Sequence, residues 1–230
     1  TGPDGFLIGV NWRGDVNASQ LPHIQASQNT AQIFLGINLK CASCHDSFIN
    51  KYKLRQAYGL AAMFSTNSKL ELIRCDANTG QFAEAEFLYP ELGSIPPGAS
   101  LAERRAEAAR LFTHPQNGRL ARTIVNRYWQ RLLGRGLVEN VDEMDAEPWN
   151  ADLLDWLASD FAEHNYDLKY LLELIMTSEA YQLPAVAQGN ELSSLQYSFR
   201  GPSARRLTAE QFLDTVSAVT GEWRTLAQGE

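Results

Sequence analysis

Two cysteines and a histidine in close succession carry the clearest chemistry in the chain. They form Cys41-Ala-Ser-Cys44-His45, the Cys-x-x-Cys-His pattern of covalent c-type haem attachment. Thiols three residues apart on one helical turn point to the same side, where each can form a thioether with a haem vinyl group. The histidine that follows is then placed to coordinate the iron. The pattern predicts haem c bound by these three residues, and a function in electron transfer.

Two other chemistries share part of this pattern. A Cys-x-x-Cys pair alone is also found in thioredoxin-like dithiols and in zinc sites. A zinc site needs two further Cys or His ligands at close spacing, and the remaining cysteine, Cys75, lies far along the chain. A redox dithiol normally follows a strand in a βαβ unit, which this sequence does not predict. Haem is therefore the favoured interpretation, and Cys75 is expected to be a free buried thiol. An iron ligand or an intermolecular disulfide remains the alternative for Cys75.

The sixth iron position is usually filled by Met or His, or is open. His114 ranks first, because it lies at a helix end from which its side chain can turn toward a neighbouring pocket. A histidine interacting with the helix dipole is the alternative interpretation. Met63, on the helix after the motif, ranks second and is equally typical of a core-filling methionine. His23 ranks third. The sequence thus predicts His45 and His114 as the axial pair.

Three polar side chains, Arg122, Asn126 and Arg127, interrupt an otherwise apolar helix. Residues 122 and 126 share a helix face, and guanidinium groups match carboxylate geometry. The two arginines are therefore candidates to bind the haem propionates. The preferred interpretation is an internal network with the acidic residues of the loop at 142–145, because arginine–carboxylate networks are common in helical packing.

Composition limits the partners that the chain can take. The net charge is −7 with a pI near 5.2, which argues against nucleic acid or an anionic membrane surface. No apolar run is long enough to span a bilayer, whereas 44% hydrophobic residues permit a substantial core. The chain starts at Thr1, without Met or a signal peptide, so we interpret it as processed or partial. Because haem c is attached outside the cytoplasm, a periplasmic or extracellular location is expected.

The first part of the chain predicts two helices and a hairpin around the motif. A strand is expected at Phe6–Val10, and a helix over 24–37 with Ser27 as its cap and Ile33, Phe34 and Ile37 on one face. A second helix is expected over about 53–65. Alternation predicts a hairpin of Leu70–Arg74 and Ala83–Tyr89, joined by the turn-rich residues 76–80.

The second part is patterned as helices. Capping boxes open two of them, at Ser100–Glu103 and Thr208–Gln211. The helix between Asn117, as cap, and Gly134 repeats apolar residues every four positions. Two more helices are predicted around Leu153–Phe161 and Leu168–Ile175, the latter starting after Asp167, and residues 185–206 are expected to be irregular. The predicted fold is mainly α, with a haem-bearing domain at 1–92, a linker at 93–100 and a helical domain at 101–230.

Several segments resemble the planctomycete cytochrome c family. The stretch from Thr30 to Asp46 is similar to its haem-motif region, and its helical domain is matched in order by the following segments. These are Ala121–Trp129, Gly134–Val138, Asp152–Leu157, Tyr166–Lys169 and Arg205–Asp214. The resemblance implies an exported bacterial protein whose longer chain often carries further cytochrome or carbohydrate-binding modules. The biochemical role of the family is not established.

The chain departs from the family at two places. Many relatives carry a second histidine two residues after the motif histidine, where this chain has Ser47. Many also carry histidines just after the tryptophan of the central signature, where Arg131 and Leu132 stand here. Any metal or haem role of those family histidines does not transfer to this chain.

The sequence as a whole predicts a mono-haem c-type cytochrome module that transfers single electrons between redox protein partners or other domains of a longer chain. Two alternatives stay open. One is a haem enzyme, either peroxidase-like through an open sixth position or the electron-accepting subunit of a substrate dehydrogenase. The other is a structural or assembly module of a multi-subunit cytochrome complex.

Overall fold

The structure, a computed structural model, describes residues 17–187 and 196–223. It is mainly α-helical with a small antiparallel hairpin, as predicted. The helices are α1 Pro22–Leu35, α2 Leu54–Ala62, α3 Leu101–Phe112, α4 Gly118–Leu133, α5 Ala151–Glu163, α6 Leu168–Thr177, α7 Glu179–Gln182 and α8 Ala209–Thr220. The strands are β1 Lys69–Arg74 and β2 Ala77–Glu84. In the described part of the chain, no helix is both long and apolar enough to cross a membrane.

Helix α1 begins earlier than the sequence pattern indicated. Pro22 occupies its first turn, where a fixed φ and a missing N–H carry no penalty. Ser27 is therefore not a cap: it is buried within the helix and its hydroxyl donates to the Ile24 carbonyl at 2.8 Å. Of the three apolar residues expected on one face, Ile37 is buried just past the end of the helix, whereas Ile33 and Phe34 are 40% and 37% exposed. The residues that α1 buries include Ile24, Ala31 and Leu35.

The hairpin is tighter than predicted. Strand β2 starts at Ala77, so the residues interpreted as a long link are mostly strand. The turn consists of Cys75 and Asp76, both with positive φ, at 47° and 64°. This is the twist that a two-residue hairpin requires, although Asn and Gly are the usual residues there. The chain leaves β2 before residue 85, and Phe87 and Leu88 enter the core instead.

Most of the helix-end signals were confirmed. The capping boxes at Ser100 and Thr208 form in full, and Gly134 ends α4 in the left-handed conformation. Asp167 caps α6 through the N–H groups of residues 169 and 170. Asn117 precedes α4 as predicted, but its side chain caps α3 instead, donating to the carbonyls of residues 111 and 112 at 3.0 Å each.

The rest of the chain agrees with expectation where it is described. Helix α5 covers the predicted apolar stretch, and α6 ends at Thr177, with α7 following before Pro184. The described part of 185–206 is irregular apart from an isolated bridge between Val186 and Ser203. The strand predicted at Phe6–Val10 lies outside the described residues.

Among the described residues, one apolar cluster lies between α1, α2 and the hairpin, and two larger clusters organise the rest. One joins α1 and α2 to the end of α3, with Leu35, Leu60 and Leu111 among its fully buried members. The other lies among α4, α5 and α6, where Val125 and Phe161 are fully buried. Helix α3 follows the segment at 93–100 in sequence, yet it packs on the cluster that contains α1. The two parts of the chain therefore share a core.

Polar contacts from α4 hold the end of α1. Arg119 donates to the Leu35 carbonyl at 2.9 Å and to the Met144 carbonyl at 2.6 Å, and it pairs with Asp145. Arg127 donates to the carbonyls of Ile33 and Gln32 at 2.9 and 2.7 Å. Positive groups at a helix C-terminus also complement its dipole. These contacts join the two halves of the chain.

Candidate functional site

The Cys-x-x-Cys-His segment forms a single tight turn after α1. Residues Cys41–Ser43 adopt a 3-10 helix, and the N–H groups of Cys44 and His45 both donate to the Cys41 carbonyl at 3.1 Å. Ala42 and Ser43 point into the protein and are buried, and the Ser43 hydroxyl donates to the Leu39 carbonyl at 2.9 Å. Both motif thiols are only half-buried. One turn thus carries the three predicted site residues, as the spacing required.

The His45 ring is oriented by its own backbone. Its Nδ1 lies 2.7 Å from the carbonyl oxygen of Asp46. A carbonyl can only accept, so Nδ1 carries the proton and Nε2 keeps its lone pair. Fixing the tautomer in this way is how proteins orient histidine ligands and raise their basicity. The geometry therefore leaves Nε2 of His45 available to a metal.

An exposed apolar surface follows the histidine. The Phe48 ring stacks on the His45 ring, with centroids 4.5 Å apart at 30°. Phe48 is 86% exposed and Ile49 is 64% exposed, which is unusual for large apolar side chains next to one another. We call Phe48 and Ile49 the apolar edge. It offers uncovered hydrocarbon surface beside the proposed ligand.

The loop that carries this edge is pinned at both ends. The Asp46 carboxylate accepts the Leu54 N–H at 3.0 Å, at the start of α2. That hydrogen bond, with Lys53 nearby, lowers the pKa of Asp46. The Ser47 N–H donates to the Tyr52 carbonyl at 3.0 Å. Sequence reasoning missed this role of Asp46, because its distance from the helix start matches no local capping pattern.

Cys75 lies beside the motif, and the expectation that it is buried was wrong. It is exposed, at the first position of the hairpin turn. Its N–H donates to the Cys44 carbonyl at 3.0 Å, and its sulfur lies 3.9 Å from the same oxygen. Burial, and next the hydrogen bond between the two thiols, raise the pKa of Cys44. The sequence could not show this, since it depends on how the hairpin packs against the motif turn.

The sixth-ligand candidates have different surroundings. Met63 is fully buried in the cluster of α1, α2 and α3, which is the core-filling role that the sequence left open. His114 is half-buried, and its Nδ1 accepts the Gln116 N–H at 3.2 Å. In the described part of the chain, no hydrogen bond or ring contact links His114 to the motif turn. His23, at the start of α1, has a pKa lowered by burial.

The arginines proposed for the propionates are engaged within the protein. Arg122 pairs with Asp155 of α5. Arg127 pairs with Asp142 at 2.7 Å, and the same carboxylate accepts from Gln32 at 2.9 Å. This is the kind of internal network that the sequence favoured. Asn126 is fully buried and exchanges two hydrogen bonds with the backbone of Val138, each 2.9 Å long.

A cleft of about 430 Å³ opens at the junction of the two halves. Its walls come from the end of α1, the segment after the apolar edge, and the loop before α5, including Lys51, Tyr52 and Asp145. Burial raises the pKa of Asp145, but Arg119 and Lys51 outweigh it and the net shift is downward. Within residues 17–187 and 196–223, no group of three or more His, Cys, Asp or Glu side chains is arranged to hold a metal ion.

The fold and the site define a helical protein that presents a Cys-x-x-Cys-His turn beside an exposed apolar edge. Residues 104–230, more than half of the chain, match the family described as PSD1, a protein of unknown function (DUF1553). The chain belongs to that family. Residues 4–69 match a second one, described as PSCyt2, also a protein of unknown function (DUF1549). These matches support the resemblance to planctomycete cytochrome c proteins at the level of the family.

The PSCyt2 match includes the motif turn and the apolar edge, and the PSD1 match begins within α3. No curated protein and no solved structure matches the chain.

Proposed function

We propose that the chain is a mono-haem c-type cytochrome module that transfers single electrons between exported redox partners. One observation carries the proposal: a single turn presents two half-buried thiols and a histidine whose Nδ1 is tied to a backbone carbonyl. Metal-ligating histidines almost always donate their other ring N–H to such an acceptor, whereas dithiol chemistry does not depend on it. The family matches are consistent with the proposal but do not describe a cofactor.

The residues present fit haem c on the attachment side. Cys41 and Cys44 would supply the thioethers, and His45 the axial nitrogen. When bound, the haem supplies a one-electron iron couple. The chain itself orients His45 through Asp46. The apolar edge would shield hydrocarbon surface of the haem from water, and this shielding would affect the reduction potential of the iron. The acidic net charge of −7 suits a partner with a basic docking face.

The first prediction is that the haem is covalently bound. Protein produced together with a haem-attachment system should keep its pigment through acid–acetone extraction, and its mass should exceed the polypeptide by one haem. The matched control is the double variant Cys41→Ser and Cys44→Ser, which should lose all extraction-resistant pigment. Release of all pigment from the unaltered protein, or one equivalent of zinc in it, would count against the proposal.

A second function, small-ligand binding by a haem enzyme, is favoured by the state of His114. Because its Nδ1 accepts a hydrogen bond, its neutral ring carries the proton on Nε2. That nitrogen has no free lone pair until the ring turns or changes tautomer. Met63 would have to leave the apolar core to reach an iron. Both observations favour an open sixth position over the axial pair that the sequence predicted.

The second prediction therefore concerns carbon monoxide. We expect the ferrous protein to bind carbon monoxide, and we expect His114→Ala to give the same visible spectra as the unaltered protein, both before and after addition of the gas. His164→Ala is the control, because His164 is an exposed histidine at another helix end, stacked on Tyr170. A low-spin spectrum that ignores carbon monoxide in the unaltered protein, and becomes sensitive only in His114→Ala, would establish His114 as the ligand instead.

A further inference from the structure

The third cysteine is the residue that the proposed function does not use. Cys75 is exposed, and it also lies against the motif turn. Its backbone N–H bonds to the Cys44 carbonyl at 3.0 Å. The bond lengths along such a backbone hydrogen bond place the two Cα atoms on the order of 5–6 Å apart. Disulfides span Cα separations of roughly 4.4–6.8 Å, so the backbone already holds the two cysteines at bridging distance.

The position of the Cys75 side chain also favours a bridge to Cys44. The Cys75 sulfur lies 3.9 Å from the Cys44 carbonyl oxygen, which places it on the Cys44 side of the turn. Positive φ at Cys75 and Asp76 is uncommon for residues other than Gly, Asn and Asp. The hairpin turn therefore presents a cysteine in a conformation that ordinary turn residues would adopt more easily.

We propose that Cys44 and Cys75 form a reversible disulfide in the haem-free chain, so that Cys44 exists either in this bridge or in a thioether. This goes beyond the proposed function: it concerns a redox reaction between two protein side chains. It also rests on that function in one respect, because the competition matters only where Cys44 is a haem-attachment residue. The bridge would remove one attachment thiol until a reductant restores it.

The reaction is ordinary thiol–disulfide exchange and needs an external disulfide, such as glutathione disulfide or an exported thiol–disulfide oxidoreductase. The exposed Cys75 thiolate attacks that disulfide, forms a mixed disulfide and releases one thiolate of the oxidant. The Cys44 thiolate then attacks the Cys75 sulfur, which forms the internal bridge and releases the second thiolate. Two protein thiols are oxidised and one external disulfide is reduced to two thiols, because the two thiolates that leave the oxidant take up the two protons that the protein thiols give up.

The test is a peptide map of the whole chain without reductant, after incubation with glutathione disulfide and alkylation of the remaining thiols. Trypsin cuts after Lys40, Lys51, Arg74 and Arg104, so Cys75 is separated from the motif cysteines. We expect most haem-free chains to yield the motif peptide joined to the peptide that starts at Cys75. The haem-bearing fraction, separated by mass, should instead show the peptide that starts at Cys75 without any link to the motif peptide.

Single serine variants identify the partner, since Cys41 and Cys44 share one peptide. Cys41→Ser should keep the link, whereas Cys44→Ser and Cys75→Ser should lose it. A link that survives in Cys44→Ser, a Cys41–Cys44 bridge in the unaltered chain, or Cys75 left as a glutathione adduct would each overturn the proposal. Extraction-resistant pigment is scored separately, so failure of the bridge and failure of haem attachment give different results.

A second readout is thermal. The bridge would close a loop of about thirty residues, which is expected to raise the Tm of the oxidised haem-free chain by on the order of 5–10 °C over the reduced chain. Cys75→Ser should show no such difference between oxidised and reduced samples. Equal melting temperatures in the unaltered protein, with the link present in the peptide map, would show that the turn is strained by the bridge and would overturn its assignment as a native alternative.

Discussion

Replacing Arg104 with methionine is expected to lower the free energy of unfolding by about 3–5 kcal/mol, which would lower Tm by roughly 10 °C in a chain of this size. Arg104 is buried in α3. Its guanidinium donates to the Ala62 carbonyl at 3.0 Å, to the Ala99 carbonyl at 2.6 Å, and to the Ser65 carbonyl. These acceptors lie at the last residue of α2, shortly after that helix, and just before the start of α3.

The size of the effect follows from the carbonyl groups that methionine leaves without a hydrogen-bond donor. It fills a similar volume but donates nothing, so the carbonyls at the end of α2 become buried acceptors without a donor. Each such group costs about 1–3 kcal/mol. Lysine at the same position should recover only part of the loss, because one ammonium cannot match the planar fork of a guanidinium.

Chemical denaturation of the two variants and of a control would measure this. Arg131→Met is a suitable control, since Arg131 is an exposed residue in the last turn of α4, and a change of less than about 0.5 kcal/mol is expected. A loss below about 1 kcal/mol for Arg104→Met would show that water replaces the guanidinium and that α3 does not depend on it to stay on α2.

Replacing Gly36 with alanine is the second substitution with a large expected effect. It should lower the free energy of unfolding by about 2–4 kcal/mol. Gly36 ends α1 with a φ of 59°, a conformation that costs a residue with a Cβ about 1–2 kcal/mol. A Cβ there would also lie 2.3 Å from Cγ of Met144, a buried residue of the loop that follows α4. The two penalties add, because neither the backbone turn nor the buried methionine has room to move.

The control for Gly36→Ala separates these two penalties. Gly98 has a similar φ of 76°, but a Cβ there meets nothing within 4 Å. Gly98→Ala should therefore cost only the backbone part, about 1 kcal/mol. Combining Gly36→Ala with Met144→Ala should cost less than the sum of the single variants, as measured by a double-mutant cycle. Strict additivity would mean that the clash is relieved without moving Met144.

Local signals explain how much of the fold could be predicted. The capping boxes at Ser100 and Thr208, and the glycine that ends α4, act within one helical turn, so their sequence spacing suffices. Helix α1 was misplaced because Ser27 is as good a cap in sequence as it is a buried hydroxyl in the helix. The predicted link of the hairpin was too long, because the Asn, Thr and Gly residues after Cys75 are typical of turns. In the structure, cross-strand bonds from Asn78 and Thr79 hold these residues in β2.

The candidate site likewise combines features that depend on local sequence with features that depend on packing. The motif turn was predicted correctly, since three residues on one turn depend only on spacing. The hydrogen bond from His45 to its neighbour is also local, but its existence depends on how Asp46 is held by the start of α2. The place of Cys75 depends on the packing of a hairpin against a distant turn. No periodicity in the sequence records that contact.

The arginine contacts at the end of α1 have a consequence for how the chain is made. Arg119 and Arg127 bond carbonyls that precede them by 84 and 94 residues. A chain synthesised from its N-terminus therefore exposes the motif turn long before α4 exists to close the end of α1. During that interval the end of α1 lacks the two arginines that hold it in the folded chain. The segment that leads into the motif turn can therefore reach its final position only after more than half of the chain has been synthesised.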